Sequence, residues 1–263
     1  MRSLHIGATG MLAQQTNVEI ISNNIANMNT TAYSRRRAEF HDLLYQNMRR
    51  VGASSSDSGT IVPAGVQLGL GVKTASVYRI SEHGTVLSTD NTLDLAIQGN
   101  GYFQIELPGD RGMAYTRDGS FQLSPDGDLV THDGYAVQPG INIPENVTGI
   151  TINGSGEVWV KVDGQTEMVN VGQLEIANFP NEAGLEAIGD NLFVETDASG
   201  DPNVDVPGAL GFGTTLQGFL ENSNVNVVSE ITELVSAQRA YEMNSKVITT
   251  SDQMMSTINQ LKS

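Results

Sequence analysis

Residues 222–263 read NSNVNVVSEITELVSAQRAYEMNSKVITTSDQMMSTINQLKS and contain neither proline nor glycine. Apolar or aromatic residues recur every seven positions in this stretch, at Val227, Leu234, Tyr241, Ile248 and Met255. A repeat of seven is typical of a coiled-coil seam rather than of an ordinary surface helix. The other seam positions are small or polar, which favours a helix with neighbours on several sides. The stretch therefore predicts a long C-terminal helix that packs against other helices.

The N-terminus shows the same repeat. Residues at spacings of seven are Leu4, Met11, Val18 and Ile25. The pattern predicts a helix from Leu4 to about Met28, in which Gly7 and Gly10 weaken the first turns by roughly 1 kcal/mol each. We expect the four N-terminal and five C-terminal seam residues to pack together, both within one chain and between copies of it.

Between the two ends the sequence is typical of β structure. Short apolar runs such as Asp94–Gln98, Gly101–Ile105 and Val158–Val162 alternate with Asp-Gly turn dipeptides. Regular turns between alternating strands predict a mostly antiparallel β domain. The stretch 52–65 is rich in serine and glycine, which predicts a loop or an extended arm.

These patterns together predict an α+β fold. The N- and C-terminal helices, at residues 1–35 and 222–263, are expected to form a coiled-coil-like layer. Residues 36–75 are expected to be an extended linking segment that includes the Ser/Gly-rich arm, and residues 76–221 a β-rich domain. Two helices bury too little apolar surface to offset the cost of ordering them, so we expect the ends to fold on assembly.

Composition excludes several classes of function. The formal net charge of −16 argues against a nucleic-acid binder, because that work needs clustered Lys and Arg. No apolar run approaches the roughly 18–20 residues of a membrane helix, so no membrane insertion is expected. The absence of cysteine excludes disulfides and thiolate chemistry. No signal peptide is evident, which leaves the cytoplasm or an export route without a cleaved signal.

No pattern in the sequence indicates a catalytic residue, a cofactor or a metal. The four histidines lack metal-ligand spacing, and Asp197, Asp201 and Asp205 do not follow a calcium-loop pattern. Carboxylates are plentiful, so a paired acid/base site is not excluded by the sequence alone. The patterns favour a self-assembling structural protein, with an unrelated secreted β protein, such as an adhesin or a wall-processing enzyme, as the alternative.

Five segments resemble the bacterial flagellar rod and hook proteins. The first, Ser22–Tyr33, resembles the N-terminal signature of that family, and Asp94–Phe103 with Tyr115–Phe121 resembles its central motifs. Residues 221–225 and 237–246 resemble its C-terminal motif. The residues that carry the terminal motifs are Asn24, Asn27, Thr31, Tyr33, Gln238, Arg239 and Tyr241. The length and the stretches 36–46, 65–72 and 137–139 are most similar to the distal rod members, with hook or proximal rod members as the alternative.

The resemblance implies a helical tube that transmits torque across the periplasm, with the terminal helices forming its inner wall. It implies export through the flagellar channel without a cleaved signal peptide. The partners it implies are further copies of the chain, proximal rod proteins, the hook protein or hook-side junction, the surrounding P and L rings, and the export apparatus with the rod cap. One position departs from the family pattern, since Ala32 stands where a glycine is usual. If that position is left-handed, alanine costs about 1–2 kcal/mol there.

Overall fold

The computed structural model describes residues 2–49, 64–109, 112–165 and 167–262. Two long helices, α1 (Arg2–Ala26) and α2 (Val227–Lys262), bracket the strands. The strands are β1 (Arg36–Asp42), β2 (Tyr45–Arg49), β3 (Val66–Gly69), β4 (Val72–Arg79), β5 (Val86–Ser88), β6 (Leu95–Gln98), β7 (Tyr102–Glu106), β8 (Met113–Thr116), β9 (Gln122–Leu123), β10 (Leu129–Val130), β11 (Val147–Ile152), β12 (Glu157–Val162), β13 (Val169–Gln173), β14 (Ile176–Asn178), β15 (Glu186–Gly189), β16 (Leu192–Val194), β17 (Asn203–Asp205), β18 (Thr214–Gln217) and β19 (Phe219–Glu221). A short 3-10 turn covers Glu182–Gly184. The predicted α+β class, with a helix at each end and an antiparallel β region between them, is confirmed.

The chain forms two compact units. The helical unit contains Met1–Ala26, Arg36–Arg79 and Asn226–Ser263, and the β unit contains Asn27–Arg35 and Ile80–Val225. These boundaries differ from those expected from sequence. Residues 27–35 and 222–225 were expected with the helices, but they cluster with the β unit, because they bond to one another and to the strand region that follows residue 79.

Residues 36–49 and 66–79 form a two-stranded ribbon in the helical unit rather than a linking segment. Strand β1 pairs antiparallel with β4, and β2 pairs antiparallel with β3. The amide of Leu43 donates to the carbonyl of Gly71 at 2.8 Å, which joins the two pairs. Strands β1 and β4, which form the inner half of this ribbon, pack on α1. Residues 50–63, which include most of the predicted Ser/Gly-rich arm, lie outside the described residues.

The β unit is built around a six-stranded antiparallel sheet. Its strands follow the order β15-β16-β8-β7-β14-β17, and a three-stranded sheet has the order β11-β12-β13. Three further two-stranded pairs are β18 with β6, β19 with β5, and β10 with β9. Most of the apolar runs predicted to be strands, including Asp94–Gln98, Gly101–Ile105 and Val158–Val162, overlap strands of these sheets.

The β unit has a large apolar core of its own. Its main cluster contains Leu95, Ile97, Phe103, Ile105, Leu107, Ala114, Phe121, Leu129, Val137, Ile141, Ile143, Ile152, Val158, Val160, Leu174, Ile176 and Leu192. A smaller aromatic cluster contains Tyr102, Tyr115, Ala177, Phe179, Leu185 and Phe193. Burial, together with the nearby Glu195 carboxylate, raises the pKa of Tyr115 to about 12. The rings of Tyr115 and Phe179 meet edge to face with centroids 4.8 Å apart.

A buried ion pair joins distant parts of the β unit. The Nε atom of Arg117 lies 2.7 Å from Oε2 of Glu221, and both side chains are almost fully buried. The remaining guanidinium nitrogens donate to the carbonyls of Ile97, Gly99 and Gly101 at 2.9–3.1 Å. Arg117 thus provides hydrogen-bond donors for the carbonyls of the turn between β6 and β7. Through its ion pair with Glu221 it also holds β19 against that turn.

We predict that replacing Arg117 with Met lowers the free energy of unfolding of the β unit by about 3–5 kcal/mol. The substitution leaves the Glu221 carboxylate buried without its cation, which is the costly way to break such a pair. Urea unfolding followed by the fluorescence of Trp159, the chain's one tryptophan, measures the change. The matched control is Arg37→Met at an exposed position, expected to stay within about 0.5 kcal/mol of the parent. Equal midpoints for the two variants would contradict this role.

Candidate assembly surface

The helices α1 and α2 meet through small residues. A Cβ atom added to Gly7 would lie 2.9 Å from Cγ1 of Ile248, and one added to Gly10 would lie 2.8 Å from Nδ2 of Asn244. A side chain at either position would force Ile248 or Asn244 to shift, so both glycines permit a close approach of the two helices. Sequence reasoning treated these glycines only as weak points in α1. Their spacing of three, which places both on one face of the helix, was the available signal.

The same contacts show that α1 and α2 run antiparallel. Gly7 faces Ile248, Gly10 faces Asn244, and Asn24 bonds to Glu230. Continuing this register brings the first turn of α1 level with about residue 253 of α2, since successive residues rise by about 1.5 Å in both helices. The last turns of α2 therefore extend past the start of α1.

Asn24, predicted as a motif residue, ties three elements of the helical unit together. Its Nδ2 donates to the carbonyl of Arg36 at 2.9 Å and to Oε2 of Glu230 at 3.1 Å, and its Oδ1 accepts from the Arg36 amide at 2.9 Å. Glu230 is buried in the first turn of α2, where the positive end of the helix dipole favours a carboxylate. Asn24 therefore fixes the start of β1 and the first turn of α2 against α1.

The helical unit has almost no large apolar residue in its interior. Among its described residues, the buried apolar side chains are Ala13, Ile21 and Ala237. Eight of the nine predicted seam residues are half-buried: Leu4, Met11, Val18, Ile25, Val227, Leu234, Ile248 and Met255. The ninth, Tyr241, is 43% exposed. The seam thus lies along the helix pair without being enclosed by it.

Helix α2 exposes further apolar residues away from α1. Val228, Ile231 and Val235 lie on one exposed stripe in its first half. A second stripe runs to its C-terminus through Met243, Val247, Met254, Ile258 and Leu261. Met254, Ile258 and Leu261 are 55, 56 and 84% exposed and lie in the turns that extend past α1. Helix spacings of three, four and seven place such residues on a common face.

The outer half of the ribbon is also exposed and apolar. Strand β2 is exposed at every position, and the exposed apolar residues around it are Leu44, Tyr45, Met48, Val66 and Leu68. A hydrogen bond from Tyr45 to the Asp42 carboxylate raises the pKa of that tyrosine. An isolated two-stranded ribbon is marginally stable in water. This part of the helical unit therefore presents a second apolar surface.

The remaining N-terminal motif residues form a turn in the β unit. The Oδ1 atom of Asn27 accepts from the Thr30 hydroxyl at 3.1 Å, and the Thr31 carbonyl accepts from Nδ2 of Asn191 at 2.9 Å. Ala32 is buried and adopts φ = 55°, so the left-handed turn is kept although the residue is alanine. Its amide donates to the carbonyl of Glu221 at 2.9 Å.

Asn224, which sequence reasoning did not single out, holds three segments of the β unit together. Its Oδ1 accepts from the Arg35 amide at 2.7 Å, and its Nδ2 donates to the carbonyls of Ile80 and Glu82 at 3.1 and 2.8 Å. Its own amide donates to the carbonyl of Tyr33 at 3.3 Å. A single amide side chain therefore fixes the places where the chain enters and leaves the β unit. The repeated asparagines of 221–226 were the feature of the sequence that could have indicated this role.

The C-terminal motif residues Gln238, Arg239 and Tyr241 are exposed on α2. In the described part of the chain, no group of three or more His, Asp or Glu side chains is placed to hold a metal ion. Neither helix, over its described residues, is long and apolar enough to cross a membrane. The dominant surface feature of the helical unit is thus apolar area on α2 and on the ribbon.

Comparison with known proteins identifies the family. Residues 4–33 match the profile described as flagella basal body rod protein, residues 96–160 match the flagellar hook protein FlgE/F/G D1 domain, and residues 216–261 match the C-terminal part of the flagellar basal body rod FlgEFG proteins. All three describe parts of flagellar rod or hook proteins.

Full-length relatives sharpen this assignment. The chain is 60% identical over 263 residues to the flagellar basal-body rod protein FlgG of Caulobacter vibrioides, covering 100% of both chains. It is 53% identical over 260 residues to that of Agrobacterium fabrum, covering 99% of each chain. It is 31% identical over 275 residues to the flagellar hook-basal body complex protein FlhP of Bacillus subtilis, again covering 100% of both. The chain belongs to the flagellar basal-body rod protein family.

We predict that Ala32→Gly raises the free energy of unfolding by about 0.5–1 kcal/mol. Glycine removes the steric cost of the left-handed conformation, and the greater freedom of the unfolded chain offsets part of that gain. Urea unfolding followed by Trp159 fluorescence measures the change. In the matched control, Ala187→Gly in β15, the residue has no left-handed strain to relieve, and stability should fall by about 0.5–1 kcal/mol. A loss of stability at both positions would show that Ala32 is unstrained.

Proposed function

We propose that this chain is a subunit of the distal flagellar rod. In this proposal it polymerises through its helical unit into a stiff helical tube that transmits torque and lets exported subunits pass. The observation that carries the proposal is the contrast between the two units. The β unit encloses a large apolar core, whereas the helical unit leaves most of its apolar side chains half-buried or exposed.

That contrast favours assembly on physical grounds. Exposed apolar surface has a favourable free energy of burial of about 25 cal/mol per Å², and large continuous patches usually mark interaction sites. The helical unit has exposed apolar residues on two stripes of α2 and on the outer half of the ribbon, so one partner on one side would not cover them all. Surrounding copies of the same chain, as in a tube, would cover all of them.

The nine seam residues take two roles in this proposal. Leu4, Met11, Val18 and Ile25 complete the contact of α1 with α2 in one copy, with Val227, Leu234, Ile248 and Met255 opposite. Their remaining exposed area, and that of Tyr241, is covered by neighbouring copies. The motif residues Asn24, Asn27, Thr31 and Tyr33 hold the local structure, and the exposed Gln238 and Arg239 face adjoining subunits.

Family membership supports a proposal for the wider assembly. The partners we propose are proximal rod proteins below, the hook protein or hook-side junction above, the P and L rings outside, and the export apparatus with the rod cap during growth. We propose that the chain reaches the periplasm through the flagellar channel, without a cleaved signal peptide. A structural role needs no cofactor, nucleic acid or membrane insertion.

The alternative within the family is a hook or proximal rod subunit. Higher identity to relatives named FlgG, at 60 and 53%, than to FlhP, at 31%, supports the rod proposal. Electron microscopy of basal bodies from a strain that lacks the chain separates these possibilities. The distal rod proposal expects assembly to stop at a short proximal rod. A complete rod without a hook would favour a hook subunit. The loss of all rod structure would favour a proximal rod subunit.

We predict that Ile258→Asp abolishes tube formation while leaving the β unit folded. Ile258 is 56% exposed near the end of α2, so a carboxylate costs little in the free chain but becomes buried in the assembly. Sedimentation and negative-stain electron microscopy of the concentrated protein measure the effect, and Trp159 fluorescence reports on the β unit.

The matched control for this substitution is Ile188→Asp in β15. Ile188 has a similar exposure of 49% but belongs to the β unit. We expect this variant to form tubes at a concentration within about threefold of the parent, because the contacts proposed for assembly lie in the helical unit. Normal tubes from Ile258→Asp would refute the proposed role of the α2 surface.

A further inference from the structure

The two units carry very different charge. The helical unit has ten Lys and Arg against eight Asp and Glu, a net of +2. The β unit has four Lys and Arg against twenty-two Asp and Glu, a net of −18. The β unit therefore carries an excess of negative charge larger than that of the whole chain.

Few of these negative charges are neutralised locally. Of the four basic residues in the β unit, Arg117 is buried in an ion pair with Glu221. Nη2 of Arg35 lies 3.5 Å from Oε2 of Glu82. Lys161 is exposed, and Arg111 lies outside the described residues. Asp94 and Glu221 are the buried carboxylates among the described residues of this unit. Most of the remaining acids therefore face solvent, where ions of the medium are their main source of screening.

Assembly through the helical unit must bring such surfaces together. The chain passes between the two units at four places, 26/27, 35/36, 79/80 and 225/226, so each β unit is tethered covalently to its own helical unit by four connections. Packed helices lie about 8–10 Å apart, whereas a folded domain of about 155 residues has a radius of gyration near 15 Å. Copies that pack by their helices therefore hold their β units within a few tens of ångströms.

We propose that the acidic β unit sets an ionic-strength threshold for self-assembly. This inference rests on the proposed function. Repulsion between β units of neighbouring copies opposes polymerisation at low salt, and apolar contacts of the helical units drive it once that repulsion is screened. The Debye length falls from about 30 Å at 0.01 M to about 8 Å at 0.15 M, which spans the expected separation of neighbouring β units.

The test measures the critical concentration for tube formation between about 10 and 150 mM NaCl, by sedimentation and electron microscopy. We expect the critical concentration to fall about tenfold or more over this range. Added sucrose strengthens apolar burial without screening charge, so it should not replace salt. If tubes form with a critical concentration that is constant or rises with salt, the inference is overturned while the proposed function stands. If no tubes form at any salt concentration, both fail.

Variants of the β unit test whether its negative charge sets the salt threshold for assembly. The side chains of four exposed acids make no hydrogen bond or ion pair among the described residues: Glu145, Glu167, Glu186 and Asp201. Replacing all four with Gln or Asn should lower the salt concentration needed for assembly, and replacing all four with Lys should lower it further. The control exchanges Glu for Asp and Asp for Glu at the same positions, which preserves charge and should preserve the threshold. An unchanged threshold in the Lys variant would overturn the inference.

Discussion

The close contact between α1 and α2 decides what the helical unit can do. Because α1 has glycine at positions 7 and 10, Ile248 and Asn244 of α2 approach its backbone closely, and the polar pair Asn24 and Glu230 joins the helices further along. Little apolar area is enclosed by such a contact. Many of the larger side chains of α2 are left on its flanks and beyond the start of α1, where the described residues of the same unit leave them exposed. The surface proposed for assembly is thus a direct consequence of a narrow helix pair.

The β unit is organised by the opposite arrangement. Phe103, Phe121 and Leu174 lie in a continuous enclosed core, and Arg117 satisfies buried carbonyls that a turn leaves behind. This unit has the features of a domain that is stable in the free chain. In the proposed function, the β unit supplies stability and negative charge, and the helical unit supplies the contacts between copies. In the same proposal, the apolar attraction between copies arises in the helical unit, and the electrostatic repulsion between copies arises in the β unit.

Local sequence patterns predicted both helices and most strands, because these depend on residues close together in the chain. The heptads ending at Ile25 and Met255 and the Asp-Gly turns are signals of that kind. The ribbon was not predicted, since β1 pairs with β4 across some thirty intervening residues and no local pattern records the partner. The role of Asn224 was not predicted for the same reason, because its side-chain hydrogen bonds reach Arg35 and Ile80, which are distant in sequence. The glycines of α1 were interpreted as weak points, because helix propensity does not include a tight neighbour.

Amide hydrogen exchange on the free chain and on the assembled tubes distinguishes a helical unit that is stable only with neighbours from one that is stable alone. We predict that amides of the β-unit sheets are protected to a similar degree in both states. We also predict that α1, α2 and the outer ribbon exchange rapidly in the free chain and slow by about a hundredfold or more in the tube, since their apolar faces become covered only there. Equal and strong protection of both helices in the free chain and in the tube would contradict this prediction, because the helical unit would then be stable without neighbours.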